Sequence, residues 1–207
     1  FTGDIALDLD VNNSTAAGTG YAGIYNEGTS GTQVVDVDRG ITNIVGDLNR
    51  TTVTLTNAVA GDSLFVSGTL PTGITASGGG TTAITLSGNA TEADYQTALS
   101  MIQFTTTSSS ATVRTIDIQA RSQLNELSNT AQSSIAINLR PALDLDASGA
   151  GTGWATSYIE NGSGVSIADT DSLITDADSA NMASGTIVLT NAQTGDQFRI
   201  GGTAVSN

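Results

Sequence analysis

Residues 7–22 read LDLDVNNSTAAGTGYA, and residues 143–155 read LDLDASGAGTGWA, the same stretch with three residues fewer in its loop. The correspondence continues downstream. Glu27 in YNEG falls on Glu160 in YIENG, Asp36 and Asp38 in VDVD fall on Asp169 and Asp171 in ADTD, and VTLTNAVAGD (53–62) falls on IVLTNAQTGD (187–196). The 133 residues between Glu27 and Glu160 far exceed a solenoid period of roughly 20–50 residues, so the spacing marks tandem domains. AGDSLFVSGTLP (60–71) then falls on TGDQFRIGGTAV (194–205), and the first copy has about seventy residues still to run beyond that point.

Composition excludes most chemistry. The chain has no Cys and no His, and its six basic residues are all Arg. Thiolate and amine nucleophiles, an imidazole base and every Cys- or His-ligated zinc site are therefore absent. Paired carboxylates could still run a glycosidase, but sugar clefts want aromatic platforms, and aromatics here are 4% with a single Trp. Trp154, aligned with Tyr21, reads as an aromatic packed on a strand near a domain end. A net charge of −14 argues against nucleic acid and anionic membrane surfaces, both of which need a cationic face. No stretch approaches the roughly 20 apolar residues of a membrane helix, so no membrane insertion is expected. The start FTGDIALDLD has no signal-like character, and with the lack of Cys it fits an internal or processed piece of a secreted or surface protein.

The dominant period along the chain is two. TVTLTNA (52–58), SLFVSG (63–68), TAITLSG (82–88), TVRTIDIQA (112–120) and SSIAINL (133–139) alternate apolar with polar residues between Gly, Asn, Asp and Ser turns, which predicts an all-β fold of sandwich type. One segment departs from this. In residues 91–102, Tyr95, Ala98, Leu99 and Ile102 recur at helical spacing, with Thr91 as N-cap and Asp94 three residues on, so one short helix is expected there. The first domain is assigned to residues 1–140 as a complete repeat, and residues 141–207 form the first half of a second, incomplete one. Pro141 makes the joint short and stiff.

The remaining chemistry lies in the acids. On an extended segment an Asp-x-Asp pair projects both carboxylates to one side, about 6–7 Å apart. Calcium takes six to eight oxygens at roughly 2.3–2.6 Å in loose geometry, which suits such clusters better than it suits magnesium. The candidate metal ligands are Asp8, Asp10, Glu27, Asp36 and Asp38 in the first repeat and Asp144, Asp146, Glu160, Asp169, Asp171, Asp176 and Asp178 in the second. Asn43 and Val45 stand where the second repeat has Asp176 and Asp178, making the second the better equipped. An EF-hand is rejected, since with Asp8 as the first position the twelfth is Thr19 instead of a bidentate Glu.

With LDLD at each repeat start, GTGWATSYIENG, IADTDSLITDADSANM, LPTGITASG, LSGNATEADYQTAL and FTTTSSS in view, the chain resembles the cadherin-like or Ig-like tandem repeats of giant bacterial surface adhesins and RTX-type exoproteins. The resemblance implies tandem cadherin-like β-sandwiches whose junctions hold Ca2+. Glu160 resembles the glutamate near a domain start, Asp176 and Asp178 the internal pair, and Asp144 and Asp146 the linker acids. Glu27, Asp8 and Asp10 take the same places in the first repeat. The function expected is a non-enzymatic, calcium-rigidified extender of a secreted or surface-attached adhesin, matrix or filament protein. The expected partners are neighbouring repeats of the same chain or identical subunits. Two alternatives stand beside it: a module that binds cell-surface or matrix glycans through its loops, and a polymerising subunit of an extracellular fibre or surface layer. The unpaired apolar face expected around Ile187, Leu189, Phe198 and Ile200 would be covered either by more of the same chain or by donated strands of another.

Overall fold

A computed structural model of the chain describes residues 5–42, 46–201 and 203–204. It divides into two compact units, Phe1–Arg140 and Pro141–Asn207. In the first unit the elements follow as β1 (Ala6–Asp8), β2 (Tyr21–Asn26), β3 (Thr32–Gln33), β4 (Gly40–Thr42), β5 (Leu48–Leu55), β6 (Asp62–Val66), β7 (Thr75–Ser77), β8 (Ala83–Ala90), α1 (Glu92–Ser100), β9 (Ile102–Thr106), β10 (Arg114–Ser122) and β11 (Ala131–Asn138). The second unit has four short strands, β12 (Ala142–Asp144), β13 (Leu173–Thr175), β14 (Arg199–Ile200) and β15 (Thr203–Ala204). The fold is all-β with one helix, as the period-two pattern predicts.

In the first unit a six-stranded sheet runs β2-β11-β10-β5-β8-β7 and a three-stranded sheet runs β3-β9-β6. Every pairing is antiparallel except that of β2 with β11. Alternation decides which side chains turn inward. Along β10, residues Arg114, Ile116, Ile118, Ala120 and Ser122 are buried, and along β11 the buried set is Ala131, Ser133, Ile135 and Ile137. The apolar members of both sets meet Leu64 of β6 and Phe104 of β9 in one continuous hydrophobic core. Phe104 stands edge-on to Tyr25 of β2 with ring centroids 5.7 Å apart, the geometry favoured by opposed ring quadrupoles.

The helix forms where its cap and spacing require. The Thr91 hydroxyl accepts from Asp94 N at 3.2 Å and donates to the Asp94 carboxylate at 2.7 Å, closing the first turn. Tyr95, Ala98 and Leu99 face the core, and Ile102 is buried as the first residue of β9. Desolvation pushes the Tyr95 phenol up to about 12, and its hydroxyl donates to Gly88 O at 2.7 Å. Gly88 has φ +133°, and a Cβ there would lie 1.8 Å from Gly73 O, so this close approach admits only glycine.

The two sheets are also joined by a buried ion pair. Arg114 Nε donates to Asp62 Oδ2 at 2.6 Å with both side chains fully buried. Asp62 Oδ2 also accepts from Val59 N at 2.8 Å, while Oδ1 has no partner among the described residues. In the second unit, by contrast, no described residue is buried. Ile187, Val188, Leu189 and Ile200 are exposed by 65%, 69%, 40% and 76%, so the apolar face expected there stands open. The segment 186–190 has no sheet partner among the described residues. Trp154, expected on a strand, lies outside one, half-buried, with its indole N–H donating to Ser166 O at 3.3 Å.

Replacing Arg114 with Met strands the Asp62 carboxylate in the core, and unfolding in denaturant should show a loss of about 3–5 kcal/mol. The double variant Arg114→Met, Asp62→Leu should lose less than that. A single variant with near wild-type stability would show that the pair is dispensable.

Candidate metal centre

Each unit opens on a two-stranded sheet that aims its acids at one spot. In the first unit β1 pairs with β4, and in the second β12 pairs with β13. The loop after each first strand is closed by a matching bond, Leu9 N to Thr19 O at 3.1 Å and Leu145 N to Thr152 O at 3.0 Å. The acidic turn is then pulled against it, Asp36 N donating to Leu9 O at 2.9 Å and Asp169 N to Leu145 O at 2.8 Å. As a result Asp10, Asp36 and Asp38 bring one carboxylate oxygen each within 4.8 Å of one another, and so do Asp146, Asp169 and Asp171. The two triads occupy the same positions of the repeat. Oxygens about 2.3–2.6 Å from a single calcium ion can span such a distance.

The first triad is a closed knot. Asp10 is fully buried. Its Oδ1 accepts from the Ser14 N–H and hydroxyl at 2.9 and 3.3 Å, and its Oδ2 from the Thr15 N–H and hydroxyl, both at 2.6 Å, and from Ala16 N at 3.0 Å. Four N–H and O–H donors, with the Ser14 hydroxyl shared between Asp10 and Asp36, fill a carboxylate with about four lone-pair sites. Burial alone would raise the Asp10 carboxyl, but these hydrogen bonds, from Thr15 first, outweigh it and hold the group well below the usual carboxylate range. Asp36 accepts from Val37 N at 2.7 Å and from the Ser14 hydroxyl at 3.0 Å, and Asp38 Oδ2 from Asn12 N at 2.9 Å. Asp38 Oδ1 is buried without a partner among the described residues. Arg39 stands beside the triad, donating to Asp36 O, Val37 O and Gln96 O at 3.2, 2.9 and 2.9 Å. Burial moves the Arg39 guanidinium below its ordinary value, with Asp36 and Asp38 pulling the other way. Burial and the charges of Asp36 and Asp10 raise the phenol of nearby Tyr21.

The second triad is open. Among the described residues Asp146 Oδ1 accepts only from the Ser148 hydroxyl at 3.1 Å, and Asp169 Oδ1 from Thr170 N at 2.7 Å and its hydroxyl at 3.5 Å. Asp171 is exposed and accepts no hydrogen bond among the described residues. Ser172 follows it where Arg39 follows Asp38. Three carboxylates thus converge with free lone pairs and, among the described residues, no adjacent cation.

The other predicted ligands lie outside both triads. Asp8 and Asp144 each cap the next turn, accepting from Asp10 N at 3.0 Å and from Asp146 N at 3.1 Å. Glu27 accepts from Arg140 N at 2.8 Å, because the parallel register of β2 on β11 sets Asn26 beside Asn138. Glu160 is exposed, and Asp176 accepts from Asp178 N at 3.2 Å. Asn43 and Val45 lie outside the described residues.

Because the folded Asp10 carboxyl ionises below its unfolded value, its contribution is complete above about pH 4 and fades as the pH falls toward the folded value. Asp10→Asn should lower the melting temperature at pH 7 in chelator and flatten its fall between about pH 4 and pH 2. Melting curves that stay parallel to wild type over that interval would contradict this assignment.

No protein-family model matches the chain, and no curated protein or solved structure is significantly similar to it.

Proposed function

We propose that this chain is a non-enzymatic, calcium-binding extender from a secreted or surface-attached protein, built of cadherin-like or Ig-like β domains in tandem. One observation carries the reading: the same three carboxylates converge twice, at matching positions of a repeat. Three like charges this close repel one another, and a divalent cation among them turns that repulsion into attraction. The ion would tie the loop after the first strand to the acidic turn, in the first unit and again in the second. Each repeat would then begin with a stiffened corner. The absence of His, Cys and Lys leaves these acids as the chain's main chemistry, and calcium, which tolerates irregular oxygen cages, fits them better than magnesium.

Saturation and free charge point to the second triad as the tighter site. Calorimetric calcium titration should lose its tighter site in Asp169→Asn, Asp171→Asn and its weaker site in Asp36→Asn, Asp38→Asn. Asp176→Ala, Asp178→Ala should leave both in place. Magnesium should bind at least about tenfold more weakly, as its demand for near-octahedral geometry implies. At a hundredfold excess over its dissociation constant, calcium should stabilise the occupied unit by about 2.7 kcal/mol. Titrations without heat, together with identical hydrogen exchange over 146–152 and 168–172 in calcium and in chelator, would refute the proposal.

A further inference from the structure

The outer face of the six-stranded sheet sets two arginines directly against each other. Arg50 of β5 pairs with Arg121 of β10 on one side and with Ser87 of β8 on the other. Both arginines are half-buried. Arg50 adjoins the inward-facing Thr51, and Arg121 stands between the inward-facing Ala120 and Ser122, so alternation turns both side chains to the outer face. Residues directly opposite on neighbouring strands have Cβ atoms about 4.5–5.5 Å apart, and like charges placed so destabilise a sheet. The chain has six basic residues against 20 acidic ones, so a carboxylate for each guanidinium would be easy to supply. Among the described residues, however, the only ion pair is that of Arg114 with Asp62, and Arg50 makes no hydrogen bond. Asp117, on the same face of β10, is engaged by the Gln132 amide at 3.0 Å.

The strands also hold the pair in place. Arg121 faces Arg50 while Ser122 faces Leu48, so Asn49 is the extra residue of a bulge, a device that re-aims neighbouring side chains. Asn49 Oδ1 accepts from Arg121 Nε at 3.2 Å, and the two terminal nitrogens of Arg121 have no partner among the described residues. We propose that Arg50 and Arg121 form a binding site for a tetrahedral oxyanion, sulfate or phosphate, taken up as the free ion or as an ester on a polysaccharide. Planar guanidinium forks match such oxyanions bidentately, and one dianion between them replaces a repulsion by two attractions. The net charge of −14 repels anions at a distance, so affinity rests on contact with these two cations. Neither arginine belongs to an acidic triad, and the inference does not rest on the calcium reading.

The probe is sodium sulfate titrated into the full 207-residue chain in calcium-free chloride buffer at constant ionic strength, followed through the arginine Nε resonances. Saturable shifts are expected at Arg50 and Arg121, with none at Arg39 or Arg114. Arg50→Gln and Arg121→Gln should each weaken binding by roughly tenfold or more, whereas Arg140→Gln should bind as the wild type does. A parallel titration with dextran sulfate, controlled by neutral dextran, distinguishes the sources. Tighter binding per sulfate on the polymer assigns the site to a polysaccharide ester, and equal binding assigns it to the free ion. Shifts that stay linear throughout, or affinities unchanged in both glutamine variants, would indicate an adventitious ion only and overturn the proposal.

Discussion

The first unit depends on a buried charge pair that ties one sheet to the other. Arg114 begins β10 in the six-stranded sheet, and Asp62 begins β6 in the three-stranded one. Burying two charges is costly, and the pair leaves Asp62 Oδ1 without a partner among the described residues, which offsets much of the stability the pair adds. With Arg114 fixed inward, every second residue of β10 follows it into the core. A slip of one residue would expose Ile116 and Ile118 and leave the carboxylate alone.

The same acidic motif yields two electrostatic states because the loop between its parts changes length. The stretch from Asp10 to Thr19 is three residues longer than that from Asp146 to Thr152. The longer loop wraps Ser14, Thr15 and Ala16 around Asp10 and saturates it. The shorter one brings, among the described residues, only the Ser148 hydroxyl to the Asp146 carboxylate. Arg39 adds a positive charge on the first side, and Ser172 adds none on the second. One triad is largely tied up in hydrogen bonds, whereas the other has free lone pairs among the described residues.

Local features were legible in the sequence, and long-range ones were not. Alternation in TVRTIDIQA and SSIAINL, and the Thr91 cap with its spaced Tyr95, Leu99 and Ile102, report through neighbours a few residues away, and the structure places strands and helix there. The repeat aligned Asp10 with Asp146 and the VDVD acids with those of ADTD, so both triads lay within the predicted set. Nothing local separated them from Glu27, whose partner Arg140 lies far along the chain and is reached through a parallel pairing that alternation does not reveal. Asp8 and Asp144 belong to the same Asp-x-Asp pairs as Asp10 and Asp146, yet each serves the backbone of its neighbour. Arg114 was equally obscure. The phase of β10 turns it inward, but the reason is an aspartate 52 residues earlier.

Anomalous scattering from crystals of the chain grown in calcium and soaked with a lanthanide measures the metal directly. The expected result is a peak roughly 2.3–2.6 Å from oxygens of Asp146, Asp169 and Asp171, stronger than any at Asp10, Asp36 and Asp38. An ordered second triad with no peak at saturating metal, or peaks confined to Asp176 and Asp178, would contradict the account.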